Sequence, residues 1–330
     1  MTNFDTLLSQ IKTQKVFIQT HNFPDPDAIA SAFGLSKLLE ARGIDSKIIY
    51  SGLIDRANTQ NMIGLLGIEL HHLSDTNEIR PDDTVIFVDC QPNNSNVKTC
   101  ITNSVLCIDH HPFSGNNTYC YKDIRTTTGA CSSIIAQYFF QNKEHIDPRV
   151  ATALLYGIKV DTANFTRKVS PLDLEMFYKL YPFSESDSLH AIEHNTLNIE
   201  DLNAYSRAID TIKITDNLSF AKASANCPEA LIATISDFML DLTDIHVSVV
   251  LSVKEKGIKI SVRSDDAALD SGVICSEALC GIGDGGGHST MAGGFVPFSK
   301  KMDVDTLVNT IEESFIKVYQ NLQNATNNKN

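Results

Sequence analysis

The sequence predicts an α/β protein, with a doubly wound, mostly parallel sheet in an N-terminal domain and a second, smaller α/β domain after it. The first half alternates short β-branched runs with helix-like stretches, which is typical of parallel sheets with helical crossovers. At 330 residues the chain exceeds the size at which single cores usually stop growing, which favours two domains. The second half has two strand-like runs around a turn and a final helix.

The elements of the first half follow one another in a regular order. Ala28, Ala32 and Leu35 lie at helical spacing and Gly43 supplies a stop signal, so this stretch predicts a crossover helix. Residues 148–181 have a helical pattern as well. The strand-like and helix-like runs before them are, in chain order, KVFIQT, DAIASAFGLSKLLEARG, SKIIYSG, TVIFVDC, SVLCIDHH and TGACSSIIAQYFFQN.

The domain boundaries follow from a change in composition, because charged and polar residues increase from about residue 185 through a helix-like connector. In the second domain, HVSVVLSVK and GIKISVRS are the predicted strands, and a glycine-rich loop and a helix over 304–322 follow. The predicted divisions are an N-terminal domain over residues 1–190, a helical linker over 191–210, a second domain over 211–325 and a disordered tail over 326–330.

Composition restricts the functional classes. The formal charge of -13 argues against a protein that coats long duplex nucleic acid, because such binding depends on many lysines and arginines. No apolar run approaches the roughly 20 residues of a membrane helix, and the N-terminus does not resemble a signal peptide, so we expect a cytoplasmic protein without membrane contact. The eight cysteines form no CxxC pair and are interpreted as buried free thiols.

Three ligand-type side chains follow the first predicted strand in an HxxxDxD pattern, namely His21, Asp25 and Asp27. Ligands of open α/β sheets bind outside the carboxyl ends of the strands, where this loop is expected. Pro26 restricts its own φ angle and favours an extended Asp25, which would stiffen the loop. The alternative interpretation is an ordinary turn in which Asp27 caps the following helix.

Further acids and imidazoles follow the later apolar runs. Asp89 ends TVIFVDC, Asp109 ends SVLCID and is followed by His110 and His111, and Asp161 follows an apolar segment. Carboxylates gathered at one edge without a nearby lysine or arginine would repel one another, and their pKa values would rise. Bound cations are the simplest explanation.

The donor set is rich in oxygen and imidazole, which favours Mn²⁺ or Mg²⁺, with Co²⁺ as a further option, over structural zinc. Six ligands for two ions require a shared carboxylate, for which we select Asp89. Two ions held in this way suit in-line attack on phosphorus, and a hydroxide between the metals would be the nucleophile. His111 is expected to stabilise phosphoryl oxygens, and Asp109 is expected to orient an imidazole. The six predicted metal ligands are His21, Asp25, Asp27, Asp89, His110 and Asp161.

The second half contains the segment GIGDGGGHSTMAGG, with seven glycines in 14 residues and His288 at its centre. Glycines allow backbone N–H groups to approach an anion, although a tight turn between strand and helix would have the same composition. Arg263 ends the preceding predicted strand, where its guanidinium could bind a phosphate, and the alternative is a plain surface charge.

The motifs HNFPDPDA, VDCQ, IDHH, GIKVDTANF and GGGHSTMAGG together resemble the DHH superfamily of phosphoesterases, in the branch with a C-terminal DHH-associated domain. The resemblance covers nearly the whole chain and implies a Mn²⁺-dependent hydrolase with its active site in a cleft between the domains. It implies that His21, Asp25 and Asp89 hold one ion, that Asp89 is shared, and that a homodimer can form. The other implied ligands are Asp27, His110 and Asp161, and the implied substrate-binding residues are Arg263, Gly286, Gly287 and His288.

Within that superfamily the chain is most similar to nanoRNase/pAp phosphatases, which act on very short RNA, on dinucleotides and on 3′-phosphoadenosine 5′-phosphate. It departs from many of them at Pro26 and Ala30, where glycine is usual, which leaves the fine specificity open. The alternatives are a cyclic-dinucleotide phosphodiesterase and a manganese exopolyphosphatase or pyrophosphatase. A non-catalytic nucleotide-binding regulator is the alternative of another class, and the presence of all six ligands argues against it.

Overall fold

The structure is a computed structural model, and the chain divides into two compact units, Met1–Thr196 and Leu197–Asn330. The residues that the structure describes are 2–13, 15–54, 56–76, 79–100, 104–113, 118–194, 197–266, 268–298 and 303–327.

The first unit contains a six-stranded sheet and seven α-helices among its described residues. Its strands are β1 (Lys15–Asn22), β2 (Asp45–Ser51), β3 (His71–His72), β4 (Thr84–Val88), β5 (Ser104–Asp109) and β6 (Tyr121–Ile124). Its helices are α1 (Asn3–Gln10), α2 (Pro26–Glu40), α3 (Ala57–Leu66), α4 (Cys131–Asn142), α5 (Pro148–Asp161), α6 (Pro171–Leu180) and α7 (Ser186–Glu193).

All strand pairs of this sheet are parallel, in the order β3-β2-β1-β4-β5-β6. The chain therefore winds outward from β1 in one direction and from β4 in the other. The boundary between these two strands is the topological switch point, where open α/β sheets bind their ligands. The predicted α/β fold class with a parallel first sheet is confirmed.

Alternate residues of the strands belong to two apolar clusters, because successive side chains of a strand point to opposite faces. Val16 and Ile18 join the larger cluster, which contains the buried faces of α2, α4 and α5. Phe17 lies in the smaller cluster, where Val97 and Cys100 cover the sheet. In one respect the sheet differs from the doubly wound prediction: the described residues between β4 and β6 form no helix, so irregular segments cover this second face.

The second unit has its own mixed sheet and apolar cores. The strand order is β11-β12-β10-β9-β8-β7, and all neighbours are antiparallel except β8 and β9. The strands are β7 (Lys213–Thr215), β8 (Leu218–Lys222), β9 (Val247–Val253), β10 (Gly257–Ser264), β11 (Asp284–Gly287) and β12 (Met291–Pro297). The helices are α8 (Ile199–Thr211), α9 (Glu229–Leu240), α10 (Ser271–Leu279) and α11 (Val304–Asn327).

Two segments of the second unit differ from the predicted divisions: the first is helical as predicted but is not a separate linker, and the second is longer than the predicted helix. Helix α8 occupies most of the predicted linker 191–210, and its Ala204 and Ala208 are buried against α9, so α8 packs as a part of this unit. Helix α11 continues to Asn327, into the predicted tail 326–330, and the last three residues of that tail lie outside the described residues.

Two further expectations concern the burial of the cysteines and the presence of membrane-spanning helices. All eight cysteines are free thiols; six are buried as expected, whereas Cys120 and Cys280 are exposed, so the prediction of buried thiols is wrong for these two. No described helix combines the length and the apolar composition that would be needed to cross a membrane.

Candidate metal centre

The acidic and imidazole side chains of the first unit meet at the carboxyl edge of the parallel sheet. His21 is the penultimate residue of β1, and Asp89 directly follows β4, the neighbouring strand across the switch point. Asp109 is the last residue of β5, and His110 follows it. Asp161 is the last residue of α5, so a helix C-terminus rather than a strand brings this carboxylate to the cluster.

The loop after β1 holds its carboxylates through the start of α2. Asp25 caps this helix, and its Oδ1 accepts a hydrogen bond from Ala28 N at 3.0 Å. Pro26 occupies the first helical position, where a missing N–H has no cost. The alternative in which Asp27 is the capping residue is therefore wrong, and Asp27 stands in the first turn of α2.

Asp89 has a left-handed backbone conformation, with φ of 58°. This conformation costs a non-glycine residue on the order of 1–3 kcal/mol, and such residues concentrate at functional sites. The strain is held by the hydrogen bond from Asp89 N to Ile108 O of β5, at 3.0 Å. The turn directs an almost fully buried carboxylate, with 2 % of its surface exposed, into the cluster.

The two carboxylate oxygens of Asp89 face different imidazoles. Asp89 Oδ2 lies 3.6 Å from His21 Nε2, and Asp89 Oδ1 lies 3.2 Å from His110 Nε2. His110 Nε2 in turn lies 3.1 Å from Asp161 Oδ2, and His21 Nε2 lies 3.8 Å from Asp25 Oδ1. Asp89 is thus shared between two groups of donors, as a bridging ligand must be.

Backbone carbonyls fix both imidazoles with Nε2 toward the carboxylates. His21 Nδ1 lies 2.9 Å from Asn22 O, and His110 Nδ1 lies 3.1 Å from Thr128 O. A ring that donates its Nδ1 proton to a carbonyl presents an unprotonated Nε2, which is the arrangement of a metal-binding histidine. Asp89 Oδ1 and His110 Nε2 are buried without a hydrogen-bond partner among the described residues, and a cation between them would satisfy both atoms.

The described residues contain three groups whose ligand atoms lie within 4.8 Å of one another. Two of them contain the six predicted ligands, three in each, and the third links Asp89 of one group to His110 of the other and adds His111. The groups are His21, Asp25 and Asp89; Asp27, His110 and Asp161; and Asp89, His110 and His111. The donor set contains carboxylates and imidazoles and no thiolate, so the residues fit two ions such as Mn²⁺ or Mg²⁺.

Asp27 is held by the start of another helix. Its Oδ2 accepts a hydrogen bond from Cys131 N at 2.7 Å, and its Oδ1 accepts one from Ser132 N at 2.9 Å. The N-cap residue of α4, Ala130, offers no side-chain acceptor, so Asp27 caps α4 from α2. A carboxylate is favoured at a helix N-terminus by the helix dipole, which fixes this fully buried side chain in place.

The proton affinities of the cluster reflect a concentration of negative charge. Burial, reinforced by the charges of Asp89 and Asp161, raises the pKa of Asp27 well above its usual range. Burial and the charges of Asp89 and Asp25 outweigh His110 and raise the pKa of Asp161 to about 6. Burial opposes protonation of His110, yet the carboxylates around it raise its pKa. Cations would take the place of the protons that these groups otherwise hold.

Asp109 supports the turn that carries the two histidines. Its Oδ1 accepts hydrogen bonds from His110 N at 2.8 Å and from His111 Nδ1 at 2.9 Å. Its Oδ2 accepts from Gln91 Nε2 at 2.8 Å, so Gln91 fixes the carboxylate that orients His111. Asp109 is fully buried, whereas the His111 side chain is 43 % exposed. Sequence reasoning did not assign a role to Gln91.

We expect Asp109→Asn to lower the turnover number by about 10- to 100-fold, the usual cost of losing a residue that orients a metal-site imidazole. The amide cannot accept hydrogen bonds at both positions, so either His111 or Gln91 loses its partner. Steady-state kinetics of the purified variant measure the effect. Asp265→Asn is the matched control, because Asp265 pairs with His246 on the surface of the second unit. Equal turnover in both variants would contradict the positioning role of Asp109.

Asp173 is a second supporting residue that the sequence did not reveal. Its carboxylate accepts hydrogen bonds from Gly129 N at 2.9 Å, Ser133 Oγ at 2.6 Å and Ser170 N at 2.7 Å. It thereby fixes the loop whose Thr128 carbonyl orients His110. Locally this aspartate forms only a capping box with Ser170, because the partners that connect it to the site, Gly129 and Ser133, are distant in sequence.

The substrate-binding candidates lie in the second unit and have a defined local structure. The segment predicted as a glycine-rich loop is instead a β-hairpin of β11 and β12, in which Gly286 pairs with Gly293. That expectation is wrong, because glycine is needed here for the close approach of two paired strands and not for a loop. A Cβ on Gly287 would lie 2.4 Å from Met291 O. His288 is exposed in the turn. Phosphate binding by Gly286, Gly287 and His288 stays a prediction.

Arg263 lies on β10 beside this hairpin, paired with Met291 of β12. Its Nε donates a hydrogen bond to Asp237 Oδ1 at 2.6 Å, and its side chain is only 13 % exposed. The interpretation as an isolated surface charge is therefore wrong. Phosphate binding by Arg263, whose guanidinium forms this ion pair, stays a prediction.

Comparison with known proteins identifies relatives of both units. Residues 15–158 match the DHH family, N-terminal domain. An uncharacterized protein of Methanocaldococcus jannaschii is 32 % identical over 92 % of this chain and 63 % of its own length. A cyclic-di-AMP phosphodiesterase of Bacillus subtilis is 27 % identical over 86 % of this chain and 46 % of its own length.

Two further matches cover most of both chains. A bifunctional oligoribonuclease and PAP phosphatase of Thermus thermophilus is 22 % identical over 91 % of this chain and 88 % of its own length. The crystal structure of an exopolyphosphatase-related protein from Bacteroides fragilis superposes with a TM-score of 0.78 at 17 % identity, over 97 % of each chain. The latter likeness shows a common fold.

The matched region contains β1, β4 and β5 with the cluster at their carboxyl ends, and it ends three residues before Asp161. The chain spans 63 % and 46 % of the length of the first two relatives, so their activities are not transferred with the fold. The family match and the relatives of nanoRNase type agree with the resemblance that the motifs implied. Residues 15–158 of this chain therefore form a DHH-family N-terminal domain.

Proposed function

We propose that this protein is a metal-dependent phosphoesterase that hydrolyses very short oligoribonucleotides and linear dinucleotides to mononucleotides, and also 3′-phosphoadenosine 5′-phosphate. The observation that carries the proposal is the position of Asp89, whose two oxygens face two separate groups of donors at the switch point of the sheet. This is the ligand arrangement that a pair of divalent cations requires for displacement at phosphorus.

The six ligands divide into two sets that share Asp89. His21, Asp25 and Asp89 would hold one cation, and Asp89 would also serve the second. When bound, the two cations would lower the pKa of a water molecule and neutralise phosphoryl oxygens. The remaining ligands of the second cation would be Asp27, His110 and Asp161.

His111 is the residue of this cluster that is best placed to touch a substrate. Its Nδ1 is committed to Asp109 and its side chain is 43 % exposed, so Nε2 is free to donate a hydrogen bond to a phosphoryl oxygen when the ring is protonated. Burial opposes that protonation, but the neighbouring carboxylates Asp109 and Asp89 raise the pKa of His111 above its ordinary value. A protonated ring would stabilise developing negative charge on the phosphate.

The second unit is proposed to bind the rest of the substrate. Gly286 has no atom within 4 Å of the position of a Cβ, so a ligand can approach its backbone. His288 is exposed beside it, and Arg263 offers a guanidinium on β10, which pairs with β12 of the same hairpin. These residues suit a short, phosphorylated ligand, in agreement with the net charge of -13, which disfavours long nucleic acid.

The relatives give two candidate substrate classes. The Thermus thermophilus oligoribonuclease and PAP phosphatase spans nearly the same length as this chain, which supports the linear dinucleotide. The similarity to a cyclic-di-AMP phosphodiesterase over 86 % of the chain supports a cyclic dinucleotide as the second candidate. The first is preferred because this match covers 88 % of the relative, against 46 % for the second.

The test is product analysis with Mn²⁺ on pApA, 3′-phosphoadenosine 5′-phosphate, cyclic di-AMP and pyrophosphate in parallel, with Asp89→Ala as the blank. Release of AMP from the first two substrates, lost in the variant, is the expected result. Faster turnover of cyclic di-AMP would establish the second candidate. Phosphate from pyrophosphate alone would indicate an anhydride hydrolase, and binding without turnover of any substrate would indicate a regulator.

A further inference from the structure

Phe23 lies between two predicted metal ligands, two residues after His21 and two residues before Asp25. Its side chain is 64 % exposed, which is unusual for a phenylalanine inside a rigid strand-to-helix loop. Its φ angle is 56°, a left-handed conformation that is a genuine outlier for a bulky residue. An exposed ring in a strained backbone next to a candidate active centre requires an explanation other than packing.

The structure fixes the backbone on both sides of this ring. Phe23 N donates a hydrogen bond to Ser51 O at 2.8 Å, and Asn22 N donates one to Asn96 O at 2.7 Å. The Asn22 side chain accepts a further hydrogen bond from Lys98 N at 3.0 Å. The loop is therefore tied to two other segments at the carboxyl edge of the sheet, and the position of the ring is set before any ligand arrives.

One side of the Phe23 ring packs against Gly52. A Cβ on Gly52 would lie 2.8 Å from Phe23 Cδ1 and 2.9 Å from its Cε1, so only glycine permits the ring to lie against this backbone. Gly52 has a φ of 82°, which other residues rarely adopt. One side of the ring thus lies against the peptide that follows β2, while the side chain as a whole is 64 % exposed. Leu53, next in sequence, is 72 % exposed and adds apolar surface at the same edge.

We propose that Phe23 is a stacking platform for a nucleobase of the substrate. The inference rests on the proposed function, because a nucleotide is the ligand that would place an aromatic ring beside a phosphate at the metal centre. A flat, fixed and exposed aromatic ring binds bases through their π faces, and such stacking tolerates every base. The larger face of a purine makes purine nucleotides the preferred ligands.

The experiment measures binding of AMP and of ribose 5-phosphate to the Mn²⁺-loaded wild-type protein and its variants by calorimetry. The two probes carry the same phosphate and sugar, so their ratio reports the base alone. In the wild-type protein AMP is expected to bind about 5- to 150-fold more tightly, the range for one stacked base. Phe23→Ala and Phe23→Leu are expected to lose this preference without weaker binding of ribose 5-phosphate, and Phe23→Tyr is expected to keep it.

Tyr178→Ala is the matched control, because Tyr178 is an aromatic residue on α6 that is 79 % exposed. Equal affinity of the wild-type protein for AMP and ribose 5-phosphate would overturn the proposal. Weaker binding of both AMP and ribose 5-phosphate by Phe23→Ala and Phe23→Leu would also overturn it. Phe23 would then only maintain the conformation of the loop that carries His21 and Asp25. A base preference that depends on Phe23 would support the platform even if pApA were not hydrolysed, so its outcome is separate from that of the proposed function.

Discussion

Replacing Asp89 with asparagine is expected to lower the turnover number on the preferred substrate by at least about 10³-fold. A metal ion supplies several kcal/mol of charge stabilisation in such reactions, and each 1.36 kcal/mol corresponds to about a tenfold change in rate. Asparagine has the same shape as aspartate but is uncharged and retains only one acceptor oxygen. It therefore cannot bind one cation beside His21 and a second beside His110. Steady-state kinetics at saturating Mn²⁺ measure the loss.

The same substitution should leave the fold intact. Asp89 N keeps its hydrogen bond to Ile108 O, and asparagine tolerates the left-handed conformation that Asp89 adopts. Asp45→Asn is the matched control, because Asp45 is an exposed carboxylate at the start of strand β2, at the opposite edge of the same parallel sheet. Turnover of Asp89→Asn within about tenfold of that control would show that this carboxylate does not bridge the ions.

Gly157→Ala is expected to weaken the second group of ligands and to destabilise the first unit. The new Cβ would lie 2.3 Å from Ser132 Oγ and 3.0 Å from Asp27 Oδ1, so the buried Ser132 side chain, and with it the contact between α5 and the N-terminus of α4, must shift. Overpacking of this kind costs about 1–3 kcal/mol. Because Asp27 caps α4 through Cys131 and Ser132, the shift displaces a candidate metal ligand.

Thermal unfolding and Mn²⁺ titration of the variant measure these two effects together. The control is Gly64→Ala, since Gly64 lies exposed in helix α3 and no atom is within 4 Å of its Cβ position. That change should stabilise the protein by about 0.4–1 kcal/mol, because alanine restricts the unfolded chain and suits a helix. A Gly157→Ala variant as stable as this control, with unchanged Mn²⁺ affinity, would contradict the packing described for Asp27.

The sequence carried most of the information about the cluster because its side chains follow apolar segments. A strand that ends in Asp89 or in Asp109 must deliver that carboxylate to the edge where parallel neighbours deliver theirs. Asp161 also follows an apolar segment and was expected at this edge for the same reason, although its segment is a helix. The hydrophobic periodicity and the common position of the strand ends therefore indicated which side chains would meet. The metal-binding roles themselves stay predictions.

The residues that support the cluster could not be found in this way. Gln91 and Asp173 act through partners that are distant in sequence, and Gly157 matters because α2, α4 and α5 pack closely around it. The hairpin of β11 and β12 escaped prediction for a different reason. Glycine has a low intrinsic preference for strands, so tertiary pairing overrides the local signal at Gly286 and Gly287.

The central claim is that two cations share Asp89, and anomalous diffraction from crystals grown with Mn²⁺ tests it most directly. The account predicts two manganese peaks about 3.5–4 Å apart, one on each side of the Asp89 carboxylate. His21 and Asp25 should lie beside one peak, and His110 and Asp161 beside the other. A single peak at this edge of the sheet, or a pair of peaks without Asp89 between them, would contradict the claim.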